Sequence, residues 1–121
     1  WAGRQPQELL PEWYSRMDIV LMPSRSEGFG LTAIEAMANG CVVVASRTGG
    51  LPEVVRDREV GLLHNVASVD DMADKIVSLI ANPDCLQRYS AAAIRYVQRY
   101  SFERYSLLFN DLYKRLIPSK Q

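Results

Sequence analysis

Three short runs of the chain are apolar at nearly every position instead of every second one. Asp18-Ile-Val-Leu-Met22 is followed by Pro23, Cys41-Val-Val-Val-Ala45 is β-branched and apolar throughout, and Val60-Gly-Leu-Leu63 is shorter. An alternating run buries one face of a strand; a continuous one needs cover on both faces, as in a parallel sheet flanked by helices. Between and after these runs, apolar positions recur at helical spacing. Leu9, Leu10, Trp13, Tyr14 and Met17 mark a helix over Gln7–Arg16, in which Pro11 must lie near the start or introduce a kink. Leu31–Asn39 is predicted as a short helix stopped by Gly40, and Pro52–Arg56 as one or two turns with Pro near the first position. Ser68-Val-Asp-Asp71 places a capping hydroxyl three residues ahead of a carboxylate, a helix start. Met72, Ile76, Leu79 and Ile80 form the apolar stripe of that helix, which ends at Asn82-Pro83. Two further helices are predicted, over Asp84–Tyr100 and from Ser101 to about Ile117. The last has Phe102, Tyr105, Leu108, Phe109, Leu112 and Leu116 along one stripe, which core packing is expected to cover.

Strands alternating with helices predict an α/β fold with a parallel sheet. Three strands make a small sheet, and nothing supplies a strand flanking the first; residues 1–5 look like the exit of one. The Asp18–Met22 strand is therefore expected at an exposed apolar edge, through which a dimer would form.

Composition narrows the class. The chain has 121 residues, 48% hydrophobic and 23% charged, as expected of a globular domain without disorder or coiled-coil bias. Its 14 basic and 14 acidic residues balance to zero, which argues against nucleic-acid or membrane-surface binding. Its longest apolar run, Cys41 to Ala45, is far too short to span a membrane. The first residue is Trp1 rather than Met, so the expectation is a piece of a longer protein. Cys41 and Cys85 match no metal spacing and are too few for a disulfide framework, which favours a reduced, cytoplasmic setting.

The informative stretch is Pro23-Ser-Arg-Ser-Glu27-Gly28-Phe29-Gly30-Leu31-Thr32-Ala-Ile-Glu35-Ala-Met-Ala-Asn-Gly40, at the carboxyl end of the first predicted strand. Ligands of open α/β sheets bind at that edge. The glycines let backbone amides approach a ligand, and the amides of Gly30, Leu31 and Thr32 would be the free donors of a helix N-terminus, suited to phosphate. Glu27 precedes the helix and Glu35 lies one turn in, so two carboxylates flank that seat and can accept from hydroxyl groups. A sugar, a phosphate bridge and a ribose would match all three features, which is a nucleotide sugar. A Gly-Phe-Gly turn with a nearby acid is also a common helix start, where the acid only complements the helix dipole.

The combined pattern Pro-Ser-x-x-Glu-Gly-Phe-Gly-Leu, a second glutamate, Ala-Met-Ala-x-Gly and then Gly-Gly-x-x-Glu resembles the carboxyl-terminal domain of retaining GT-B glycosyltransferases. The subgroup is glycosyltransferase family 4, the glycosyl transferases group 1. The resemblance runs from Gly3 to about Ile117. It implies the distal part of a Rossmann-like domain, with a donor-binding α/β portion over 1–66 and trailing helices over 67–121.

The resemblance also assigns roles. Glu27 would contact the donor-sugar hydroxyls and is the candidate catalytic residue. Backbone amides of Gly28, Phe29, Gly30, Leu31 and Thr32 would hold the sugar and diphosphate, and Glu35 the ribose. Gly3, Arg4 and Gln5 would lie near the base, and Gly49 and Gly50 are candidate neighbours of the donor, although a glycine pair also serves simply as a tight strand-to-helix turn. The family usually has Pro where this chain has Cys41, a thiol expected to pack at the strand start. His64 corresponds to no family catalytic histidine and is expected to be structural or exposed.

The implied reaction moves a sugar from a nucleoside diphosphate to an acceptor hydroxyl with retention, by front-face departure and attack. Double displacement with Glu27 as nucleophile is the alternative. No Asp-x-Asp metal motif is present, and neither a cofactor nor a catalytic metal is expected. The implied partners are the nucleotide sugar and an amino-terminal acceptor domain of the same protein, which would also carry any peripheral membrane contact. The family's diphosphate-binding Arg and Lys have no counterpart here, so the chain alone is expected to be inactive. A non-catalytic nucleotide-sugar-binding protein and a structural remnant of the same fold are the competing readings.

Overall fold

A computed structural model describes residues 2–116 of the chain. Three parallel strands, β1 (Ile19–Met22), β2 (Val42–Ser46) and β3 (Gly61–His64), form a sheet in the order β1-β2-β3. Ile19 pairs with Val42 and Val43 with Gly61, so the carboxyl ends of all three strands meet at one edge. Each strand lies one residue later than the apolar run predicts at one or both ends, and the expected α/β class holds.

β2 is buried at all five positions. Val43 and Ala45 point into one core with Ala33, Ala36 and Met37 of α2 (Leu31–Ala38), Leu51 and Val54 of α3 (Leu51–Val54), and Ala93 and Val97 of α5 (Pro83–Val97). Val42 and Val44 point the other way, onto Leu79 of α4 (Val69–Ile80) and onto Tyr89 near the front of α5. The continuous apolar run is thus explained by cover on both faces. At the edge of the sheet, β1 has less cover: Leu21 is 44% exposed.

Local signals set the element ends. Gln7–Leu9 is a 3-10 turn and α1 (Leu10–Tyr14) starts afresh with Pro11 in its first turn, where a missing N–H costs nothing. α2 stops in a Schellman motif: Gly40, at φ +85°, donates to the Met37 carbonyl, and Cys41 donates to that of Ala36. The Cys41 thiol is buried between the carbonyls of Tyr14 and Met17, each 3.3 Å from the sulfur, so it packs as expected. Ser68 caps α4 by accepting the Asp71 N–H, and Asn82 caps α5 by accepting that of Cys85.

Two stripes differ from expectation. Ile80 is exposed, because eight positions along a helix rotate it about 80° from Met72, beyond the Met72–Ile76–Leu79 line that faces the sheet. More consequential is α6 (Phe102–Leu116), whose Phe102, Tyr105, Leu108, Phe109 and Leu112 are all exposed, Phe102 to 82%. The expected core packing of this stripe is therefore absent among the described residues; the Leu116 side chain and Ile117 lie outside them. The extended Ser101 interrupts the helical course after the 3-10 turn Gln98–Tyr100 and α6 sets off anew from it, while α2, α4 and α5 already cover the sheet.

These placements predict a contrast in stability. Met37→Ala, at a position with 0% exposure, should destabilise the chain by about 2–5 kcal/mol. Leu107→Ala, at 70% exposure on α6, should stay within about 0.5 kcal/mol. Urea unfolding followed by circular dichroism would measure both; equal losses would contradict the packing described.

Candidate functional site

The loop after β1, residues 23–30, and the loop after β2, residues 47–50, emerge side by side at the carboxyl edge of the sheet. Their backbones interlock. The Gly50 N–H donates to the Gly28 carbonyl at 2.9 Å, and the Thr48 hydroxyl donates to the Arg25 carbonyl at 3.3 Å. At Gly49 and Gly50 no side chain would fit between them. A Cβ at Gly49, which sits at φ +53°, would collide with the Glu27 carbonyl oxygen, and one at Gly50 would come within 2.5 Å of the Gly28 oxygen. Gly49 and Gly50 thus have a structural role, since their bare backbones let the second loop buttress the first.

The first loop delivers the chain into α2 through Gly30, at φ +90°, packed over Leu51. A glycine in that position offers no capping side chain, so the opening amides of α2 have no partner from the helix itself. Among the described residues the N–H groups of Phe29, Gly30, Leu31 and Thr32 donate to no protein acceptor. These are the donors expected at a phosphate seat, and the helix dipole adds positive potential there. The space beside Gly28 is open, with no atom within 4 Å of a built Cβ.

Glu27 is half-buried at the edge of this seat, and its Oε1 accepts the Gly28 N–H at 3.1 Å, which orients the carboxylate. Glu35 lies one turn into α2 and faces a different region. It lines an open depression of about 460 Å³ with Arg4, Gln5, Pro6, Gln7 and Leu10. The structure therefore brings Glu35 together with Arg4 and Gln5, two of the three residues expected near a base; Gly3 is exposed and outside that lining. The Gln5 amide is fixed at both ends, donating to the Ala2 carbonyl at 2.6 Å and accepting from the Trp13 indole at 3.2 Å.

Sequence reasoning missed Tyr14 as part of this region. Its hydroxyl donates to Glu35 Oε2 at 3.5 Å, and burial, followed by the Glu35 charge, pushes its phenol pKa up. A tyrosine at an apolar helical position reads as core, and only the fold shows that its polar tip reaches the carboxylate. Two other features lie beside the site without entering it. The Arg47 guanidinium is held by Asp57 at 2.8 Å. His64 is buried, with Nδ1 2.9 Å from the Asn65 carbonyl and Nε2 3.4 Å from the Ser46 hydroxyl, so its role is structural. A carbonyl only accepts, so Nδ1 carries the proton.

Gly49→Ala should therefore displace the Glu27 loop and destabilise the chain by about 1–3 kcal/mol from the left-handed backbone alone. Gly28→Ala, which meets no protein atom, should stay within about 0.5 kcal/mol. Thermal unfolding of the two variants tests this, and a Gly49→Ala protein as stable as the parent would contradict the interlocked loops.

The chain is similar to known proteins in sequence and in fold. The chain is 38% identical over 110 residues to a D-inositol 3-phosphate glycosyltransferase of Streptomyces bingchenggensis, a match covering 88% of this chain and 24% of that relative. Its fold matches a sucrose-phosphate synthase from Thermosynechococcus elongatus with a TM-score of 0.87 at 34% identity, over 95% of this chain and 29% of the other. It also matches the Anabaena protein HepE in complex with UDP, with a TM-score of 0.79 at 25% identity, over 85% and 29% of the two chains; HepE is also solved with UDP-glucose. The chain thus spans about a quarter of the length of the curated relatives it matches. The sequence profile described as "Glycosyl transferases group 1" matches residues 1–96, and the chain belongs to that family.

Proposed function

We propose that these residues are the donor-binding portion of a retaining glycosyltransferase that moves a hexosyl group from a nucleoside diphosphate sugar to an acceptor hydroxyl. The observation that carries this reading is the uncapped start of α2, with its unpaired amides flanked by Glu27 on one side and by the Glu35–Arg4–Gln5 depression on the other. The amides of Phe29–Thr32 take the diphosphate. Glu35 accepts from the ribose hydroxyls, and Gln5 and Arg4 border the base. Glu27 accepts from the sugar hydroxyls. The UDP and UDP-glucose complexes of HepE favour a uridine diphosphate donor as the first to test.

In such a reaction, negative charge grows on the departing diphosphate as the sugar takes on oxocarbenium character. Amides already aimed at that oxygen cluster stabilise the charge without reorganising. Front-face attack needs no protein nucleophile. Retaining glycosidases place two carboxyl groups about 5–5.5 Å apart across the scissile bond; here Glu27 and Glu35 serve different parts of the ligand, which favours binding roles for both. The acceptor site belongs to an amino-terminal domain outside these residues, and the chain alone binds donor weakly and turns nothing over. The proposed setting is cytoplasmic. Among the described residues, no helix is long and apolar enough to cross a membrane. The reading invokes no resident cofactor or metal.

Isothermal titration of the chain with uridine, guanosine and adenosine diphosphates should show weak binding, strongest for one base. In the full-length protein, Glu35→Ala should raise the KM for donor about 10- to 100-fold, the range of a hydrogen bond to a charged group. Its kcat should change less. Sugar transfer by the isolated chain, or an unchanged KM in Glu35→Ala, would overturn the reading.

A further inference from the structure

The first loop, and the short helix α3 into which the second loop runs, are both tied to one distant place, the last turn of α5 and the 3-10 turn that follows it. The Phe29 ring stands edge-on to Tyr100, with centroids 5.9 Å apart and planes at 79°. Tyr100 in turn packs edge-on to Tyr96, at 6.0 Å and 64°. The Tyr96 hydroxyl donates to the Glu53 carbonyl at 3.0 Å, in the short helix that begins directly after Gly50. The guanidinium carbons of Arg99 and Arg56 lie 4.0 and 5.5 Å from the Tyr96 ring centroid and hold that ring by cation–π contact. One aromatic pair, a helical turn apart, thus grips the first loop by a ring and α3, directly after the second loop, by a carbonyl.

The position of the first grip matters. Phe29 is 46% exposed, so its side chain is not locked in the core, and Tyr100 is its aromatic partner. Its own amide is among the unpaired donors of the phosphate seat. Rotating Phe29 about its backbone would re-aim that amide and those beside it. The ring and the amide belong to one residue, so a contact that anchors the ring restrains the backbone that carries the donors.

We propose that Tyr100 is a positioning residue for the donor loop, acting through the Phe29 ring, and that Tyr96 holds α3, into which the second loop runs, through the Glu53 carbonyl. The functional half of this inference rests on the donor-binding reading above. Burial, and then the neighbouring Tyr96, push the Tyr100 phenol up to about 12, so the ring stays neutral across any working pH.

The test uses the full-length protein with UDP as the probe, and two readouts: hydrogen exchange of the amides of residues 28–32, and the Kd for UDP. Tyr100→Leu should speed exchange in residues 28–32 and weaken UDP binding about 2- to 10-fold, the range carried by an edge-to-face aromatic pair. Tyr100→Phe keeps the ring and should restore both. Tyr96→Phe removes only the hydroxyl and should speed exchange around residues 50–54 while leaving the Phe29–Tyr100 contact in place, which tests the second grip by itself; Phe29→Leu, at a half-exposed position, removes the same ring pair from the other side and should reproduce the Tyr100→Leu result, which decides the matter if that variant fails to fold. Parental exchange and affinity in Tyr100→Leu, or equal damage from Tyr100→Phe, would overturn the proposal. If the parent protein does not bind UDP, guanosine diphosphate or adenosine diphosphate, the donor-binding reading fails. Exchange in residues 28–32 then still reports whether Tyr100 holds the loop.

Discussion

Burial of β2 on both faces is the constraint from which the arrangement follows. A strand of Val42-Val-Val-Ala-Ser46 has no solvent side, so helices must lie against it front and back. α2 and the later part of α5 take one face, and α4 with the front of α5 takes the other. Parallel pairing then sends β1 and β2 out at the same edge, and their loops meet there. The seat of unpaired amides is a by-product of this geometry: α2 must start at that edge to cross back over the sheet, and a start without a capping side chain leaves its donors open.

The second constraint is contact between backbones. Loops that touch through side chains tolerate drift. Here the Gly28 carbonyl and the Gly50 amide bond directly, and the surface of each loop is the floor of the other. Glu27 is thereby fixed from two directions, by its own bond to the Gly28 amide and by the loop pressed against its carbonyl.

Much of this was legible in the sequence wherever the cause was local. The three strands show as unbroken apolar runs, Gly40 as a helix stop, and Ser68 as a cap, because each signal acts within a few residues. The family motif pointed to Glu27, the glycine loop, Glu35 and the Gly3–Gln5 stretch as one region, and the fold brings Arg4 and Gln5 beside Glu35 in one depression. What escaped depends on distance along the chain. The glycine pair at 49 and 50 reads as a tight turn, and its close approach to Glu27 exists only once β1 and β2 are aligned. Tyr14 reads as an apolar helical position and Tyr100 only as the end of a predicted helix, and nothing local reveals that their far ends reach Glu35 and Phe29. Periodicity identified the apolar face of α6, but periodicity reports which side of a helix is alike, not whether anything lies against it.

The contrast between the two flanks of the site bears on how far it can be redesigned. The glycine flank leaves no freedom for change, because at Gly49 and Gly50 the space a side chain would need is filled by the opposing backbone. The flank bordered by Arg4, Gln7 and Glu35 is open, and Arg4 and Gln7 are exposed side chains that hold up no part of the core. Substitutions are better absorbed on that second flank, where exposed side chains can be varied without disturbing the fold that supports them.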